Sequence, residues 1–309
     1  MKRLLAPLAL LLAAPTLAQS GAPYTVVESG RAFASLQEAV NAIGDGMGTI
    51  RIAAGSHADC AVQEHGDVAY VAAVPGQTAL AGTACEGKAA LVLRGRSARV
   101  EGLTFADVRV ADYNGAGIRI EHGNLAVSQA WFRDSQQGIL SAGDPAGTIT
   151  VDKSSFTRLG TCEGGGGCAH SIYVGDYGGL SVTRSRFEAG RGGHYLKSRA
   201  MRVTVLDNSF DDSRGRATNY MIDLPNGATG RISGNWLVQG PDKENHSAFI
   251  AVAAEGHSNN SAGLAISGNV ARLAPGVSWR SVFVADWSGD PLAIGANQLG
   301  EGLTRFEKR

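Results

Sequence analysis

From Val100 onward the chain repeats one short phrase: an apolar residue and, five positions on, an apolar, usually large one, with a small or amide residue three positions on in all but the first copy. It reads Val100/Phe105, Val127/Phe132, Val151/Phe156, Val182/Phe187, Val205/Phe210, Ile232/Leu237, Ile266/Ala271 and Ile294/Leu299, with copies 23 to 34 residues apart. The two longest intervals hold evident insertions, Cys162-Glu163-Gly164-Gly165-Gly166-Gly167-Cys168 and Pro241-Asp242-Lys243-Glu244-Asn245. In the later copies the third position is Ser154, Ser185, Asn208, Asn235, Asn269 and Asn297. Asparagine side chains satisfy backbone groups at bends and tolerate left-handed geometry, so this column predicts a stacked turn.

Between the phrases lie second strands: Gly117-Ile118-Arg119-Ile120, Gly138-Ile139-Leu140, Ser171-Ile172-Tyr173-Val174, Tyr195-Leu196-Lys197, Met221-Ile222-Asp223-Leu224 and Phe249-Ile250-Ala251-Val252. They alternate with period 2, whereas helical repeats would show a period of 3.6. A β-sandwich would share the alternation but not one phrase held in register along the chain. The pattern therefore predicts an all-β fold, a right-handed parallel β-helix whose coils stack at the strand spacing of about 4.8 Å. Ser35 and Glu38 form a capping box ahead of Leu36, Ala39, Val40 and Ile43, predicting an amphipathic helix over about 35–43 that plugs the N-terminal end. The glycines at 44, 46 and 48 read as a turn into Thr49-Ile50-Arg51-Ile52, not as a dinucleotide loop, because no strand precedes them.

Ahead of this pattern, Lys2 and Arg3 precede an apolar run over 4–14 and then Thr16-Leu17-Ala18, which reads as a secretory signal peptide over 1–18. No later stretch approaches the roughly 20 apolar residues of a transmembrane helix. The expectation is a single β-helix domain over 19–309 in a periplasmic or secreted, monomeric protein. Export makes disulfides the natural state of Cys60, Cys85, Cys162 and Cys168, and their spacing offers no zinc pattern. The expected pairs are Cys60 with Cys85, one coil apart, and Cys162 with Cys168. Abundant glycine (42) and few aromatics (6%) suit many short strands and tight turns. A formal net charge of zero gives no sign of a nucleic-acid partner.

The opening helix, the strand ending in Ile52-Ala53-Ala54-Gly55 and the eight-fold phrase resemble the parallel β-helix proteins of the pectin-lyase-like superfamily. The resemblance covers nearly the whole exported chain and is architectural. It implies a set of activities, namely polysaccharide lyases, glycoside hydrolases, uronan epimerases and noncatalytic surface proteins, and fold alone does not choose among them. The Asn-Thr-Asp, Asp-Asp, Gly-His-Gly and Arg-Ile-Lys series of polygalacturonase-like enzymes is absent in that order, since Gly193-His194 precedes Asp211-Asp212 here. The Asp-Pro-His-Asp motif of mannuronan epimerases and the Arg-x-Pro-x-x-Arg pattern of pectate lyases are also absent.

Aligning the second strands on their inward residues predicts one outward column, Arg119, Leu140, Tyr173, Lys197, Asp223 and Ala251. Arg199 stands beside it, and His170, His194 and Tyr220 align at the turn leading onto the same face. A lysine beside an aspartate on a solvated sheet is ordinarily a surface ion pair worth little, and a lone histidine is as readily a turn residue. The coincidence is what points to chemistry, because residues 191–199 carry His194, Tyr195, Lys197 and Arg199 on one coil and both neighbouring coils add more.

This set suits β-elimination on an acidic, uronic-acid-containing polysaccharide or oligosaccharide. A cation neutralises the C6 carboxylate, a base removes the C5 proton and an acid protonates the leaving oxygen. Lys197 or a histidine is the expected base, Arg199 the carboxylate ligand and Tyr173 the acid, with Asp223 alongside. His170, Tyr195, Tyr220 and Arg119 are expected to bind substrate. Hydrolysis would need two carboxyl groups, and Asp223 gains a partner only if Glu255 or Asp212 reaches it. Asp207, Asp211 and Asp212 are expected to solvate a turn, with calcium as their alternative ligand; no other cofactor or metal is expected.

Overall fold

A computed structural model describes residues 21–309. The expected signal peptide at 1–18 lies outside the described residues. The chain winds as a parallel β-solenoid in which each coil gives one short strand to each of three sheets, of twelve, ten and ten strands. One coil, for example, contributes Ser97–Glu101, Thr104–Ala106 and Ala116–Ile120 in turn. Every coil-to-coil pairing is parallel. The exception is the start, where Tyr24–Val26 runs antiparallel to both Arg31–Phe33 and Met47–Ile52.

The eight-fold phrase is the fold's register. Its first position stacks without a slip from Val100 through Val127, Val151, Val182, Val205, Ile232 and Ile266 to Ile294. Its last position stacks from Phe105 to Leu299. Phe105, Phe132, Phe156, Phe187 and Phe210 are fully buried, their rings nearly parallel at centroid distances of 4.9, 4.9, 4.7 and 4.7 Å. The same columns continue upstream through Tyr70 and Leu80. These two lie ten residues apart instead of five, which is why the phrase is invisible before Val100.

The amide column works as a hydrogen-bonded spine. The backbone N–H groups of Ser185, Asn208, Asn235 and Asn269 donate to the side-chain oxygens of Asn208, Asn235, Asn269 and Asn297 at 2.9 to 3.0 Å. Each asparagine Nδ2 also donates to a carbonyl of the preceding coil, as Asn208 does to Val182 at 2.9 Å. The turn between the first two sheets is thereby satisfied internally, as buried backbone groups require.

The helix spans Leu36–Ile43, with both arms of the Ser35/Glu38 capping box formed and Leu36, Ala39 and Val40 buried. Gln37 clasps the backbone of Val62 through its Nε2 and Oε1, tying the helix to the first strand of the third sheet. Both disulfides form as expected, with Cα–Cα distances of 5.5 Å for Cys60–Cys85 and 4.2 Å for Cys162–Cys168. Among the described residues no helix is long and apolar enough to cross a membrane.

Candidate functional site

The outward face of the third sheet carries the predicted column in the predicted register. Arg119 pairs with Leu140, Leu140 with Tyr173, Tyr173 with Lys197, Lys197 with Asp223 and Asp223 with Ala251. Inward neighbours Ile172, Leu196 and Ile222 are fully buried in the core, so alternation alone turns Tyr173, Lys197 and Asp223 outward. Above them lies a polar cleft of about 440 Å³ whose lining includes His170, Tyr173, His194, Lys197, Arg199 and Glu255. Both insertions wall it, Gly164, Gly166, Gly167 and Cys168 from the first and Glu244 from the second, and the two meet where Glu244 Oε2 lies 3.9 Å from Cys168 Sγ. Tyr113, an exposed aromatic at left-handed φ of 63°, stands on the rim against Gly164.

Arg199 is held on three sides. Its Nε donates to the Tyr173 hydroxyl oxygen at 3.1 Å, and its terminal nitrogens donate to Asn226 Oδ1 and Glu255 Oε2. Lys197 Nζ donates to the other oxygen of Glu255 at 2.5 Å and lies 3.5 Å from Asp223 Oδ2. It also sits 5.6 Å above the Tyr173 ring. One carboxylate therefore spans an ammonium and a guanidinium, with a phenol fixed beside them. Burial raises Glu255, but the hydrogen bonds from Lys197 and Arg199 outweigh it and hold its carboxyl below its ordinary value.

Asp223 lies behind Lys197, closed from solvent, and its Oδ1 has no hydrogen-bond partner among the described residues. Burial pushes its carboxyl up to about 7, with Lys197 opposing the rise. Its Oδ2 is 3.4 Å from His194 Nε2. His194 donates its backbone N–H to His170 Nδ1 at 3.0 Å, which makes Nδ1 of His170 an acceptor and puts the proton of the neutral ring on Nε2. Burial, with Lys197 adding to it, lowers His170 to about 3. His194 is also well below its ordinary value, by burial first and His170 and Lys197 next. Both imidazoles are consequently neutral at neutral pH.

The turn residues His170, His194 and Tyr220 form the expected stack, with ring centroids 5.0 and 5.5 Å apart. Three expectations need correction. Tyr195 does not face the cleft: it precedes the strand Leu196–Ser198, where alternation does not yet apply, and turns into the core beside Phe187. Its hydroxyl donates to Asp212 Oδ1 at 2.7 Å. Asp212 does not solvate a turn. It is wholly buried and paired with the equally buried Lys243 at 3.1 Å, which pins the 241–245 insertion from beneath. Arg119 lies two coils from Tyr173 in an adjacent hollow with Lys88 and Leu140, 3.5 Å from Glu121, and reaches the cleft only through shared neighbours Asp112 and Asn114. Tyr220 stacks on His194, but its hydroxyl lies by Ser247, 3.4 Å away. Asp211, meanwhile, accepts from its neighbour Ser213.

The residues that column reasoning could not place are Glu255, Asn226, Asn219 and Glu244. All lie in connections of unequal length, where no repeat fixes register. An odd charge in an otherwise small-residue loop, Ala253-Ala254-Glu255-Gly256, is the one signal available for Glu255.

No protein-family model matches the chain, and no curated protein matches it. Among solved structures, it is similar to ORF18 of Geobacillus virus E2, with 14% identity and a TM-score of 0.46. The alignment covers 88% of this chain and 56% of that one, so the chain spans little more than half of that protein's length.

Proposed function

We propose that this is an exported enzyme that cleaves a uronic-acid-containing polysaccharide by β-elimination. The observation that carries the reading is the grip of Lys197 and Arg199 on a single carboxylate, beside a Tyr173 hydroxyl oriented by Arg199. Abstraction of a C5 proton requires the C6 carboxylate to be neutralised as negative charge moves onto it. Arg199, braced by Tyr173 and Asn226, presents its remaining edge to that carboxylate. Tyr173 accepts from Arg199 through its oxygen and keeps its O–H free to protonate the leaving glycosidic oxygen.

Lys197 is the base in this reading. Its Nζ lines the cleft beside Arg199 and above the Tyr173 ring, and in its unprotonated form takes the C5 proton. His170 and His194, neutral and buried, shape the wall and keep Asp223 desolvated. Two disulfides and the absence of a membrane-crossing helix among the described residues accord with a periplasmic or secreted site of action.

A second reading has one observation in its favour. Asp223 and Glu255 both reach Lys197, and their environments push them apart, Asp223 upward and Glu255 downward. Such a split is the pattern of an acid and base pair in a glycoside hydrolase. Closure of Asp223 from the cleft speaks against it. Incubation with a panel of uronic-acid polymers separates the cases. Elimination gives ultraviolet absorbance from an unsaturated sugar, hydrolysis gives reducing ends without absorbance, and a noncatalytic binding protein gives neither.

A further inference from the structure

The cations and the carboxylate of the cleft are not built alike. The Lys197 and Arg199 side chains are 10% and 25% exposed, whereas Glu255 is 45% exposed. Arg199 keeps its orientation without Glu255, since Tyr173, Asn226 and Asn259, whose Nδ2 donates to the Arg199 carbonyl at 3.0 Å, hold it from other directions. Asn226 is in turn braced by Ser258, at 2.9 Å. The Glu255 backbone is tied to the Pro225 carbonyl at 2.9 Å, so the loop need not move for the side chain to leave. Among the described residues its carboxylate has no hydrogen-bond donors beyond the two cations.

We propose that Glu255 is a built-in occupant of the substrate's carboxylate seat, and that a uronate binds by displacing it into solvent. This deepens the elimination reading and rests on it for the identity of the ligand. A seat formed by the Lys197 nitrogen and one edge of a braced guanidinium takes a planar carboxylate through two hydrogen bonds, the one from Arg199 charge-assisted, and leaves the lone pair of an unprotonated Lys197 for the C5 proton. Glu255 fills that seat at an effective concentration that a free ligand must overcome. It sets a threshold: a single uronate competes poorly, while a polymer with several contacts along the cleft competes well. It also keeps two cations neutralised in the empty enzyme, which limits capture of unrelated anions.

The test uses the full exported protein and reads binding without turnover. Titration calorimetry of Glu255→Ala and Glu255→Gln with D-glucuronate is expected to give a dissociation constant at least tenfold below that of the unaltered protein. The uncharged methyl ester should bind none of the three measurably. Acetate should raise the melting temperature of Glu255→Ala saturably and leave the unaltered protein unchanged, because the vacated seat accepts a small carboxylate. Equal or weaker glucuronate binding by both folded variants overturns the proposal, as does equal acetate stabilisation of all forms. A negative elimination assay with a positive glucuronate result would refute the lyase and leave the seat; the reverse would refute the seat alone.

Discussion

Replacing Phe187 by alanine tests the register on which both core and cleft depend. Phe187 is fully buried and stacked on two faces, against Phe156 and Phe210 at 4.7 Å each, with Tyr195 edge-on at 6.5 Å. Emptying a buried phenylalanine site costs about 3–5 kcal/mol. Loss of two stacked partners, each worth about 0.5–1.5 kcal/mol beyond area, places this site in the upper half of that range. Neighbouring coils cannot collapse into the void, because backbone pairing fixes their separation. Phe105, at the end of the ladder, stacks on one phenyl ring only, Phe132, so Phe105→Ala should cost roughly 1 kcal/mol less. Urea unfolding of the three proteins followed by circular dichroism measures both numbers. A loss below about 1 kcal/mol for Phe187→Ala, or a larger loss for Phe105→Ala, would refute the ladder as the core's main support.

Four further outcomes follow from the cleft. Lys197→Met should abolish turnover on a responsive polymer; unlike an exposed surface change, it should also cost about 1–3 kcal/mol by leaving a buried carboxyl unpartnered, read by thermal melting. Arg199→Lys should lower kcat/KM by at least tenfold in steady-state assays, since a lysine cannot hold Tyr173, Asn226 and a carboxylate at once. Asp223 holds its proton up to about 7 when folded but only to about 3.9 in the unfolded chain. Its contribution is therefore full below about pH 4 and lost as pH rises through 7. Asp223→Asn should then gain melting temperature over the parent at pH 8 and show little difference at pH 4. His170 has the opposite sign: its folded value near 3 makes neutral-pH stability fade as pH drops below about 6.5. His170→Gln should flatten that acid limb.

How much of this was legible in the sequence depends on distance from the repeat. Wherever one residue sits at a fixed place in every coil, as Val100, Phe105 and Asn208 do, the one-dimensional order of a solenoid turns sequence spacing into spatial contact. The column Tyr173, Lys197, Asp223 inherits that certainty because it stands one residue after an aligned core position. Tyr195 was misread because it lies before the strand begins, where the turn and not the pleat sets direction, and because a buried hydroxyl found Asp212. Asp212 itself was misread because its partner Lys243 sits in an insertion far along the chain, and nothing in local spacing announces a buried ion pair. Glu255 sits close by for a different reason. Its loop has no counterpart in other coils, so only three-dimensional placement shows it between Lys197 and Arg199.

The measurement that bears most directly on the central claim is ultraviolet absorbance on incubating the protein with uronic-acid polymers, in parallel with Lys197→Met and Arg199→Ala. New absorbance from an unsaturated sugar with the parent, absent with both variants that remain folded, is the predicted result. Full elimination activity in the Lys197 variant, or reducing ends released without any absorbance, would contradict it.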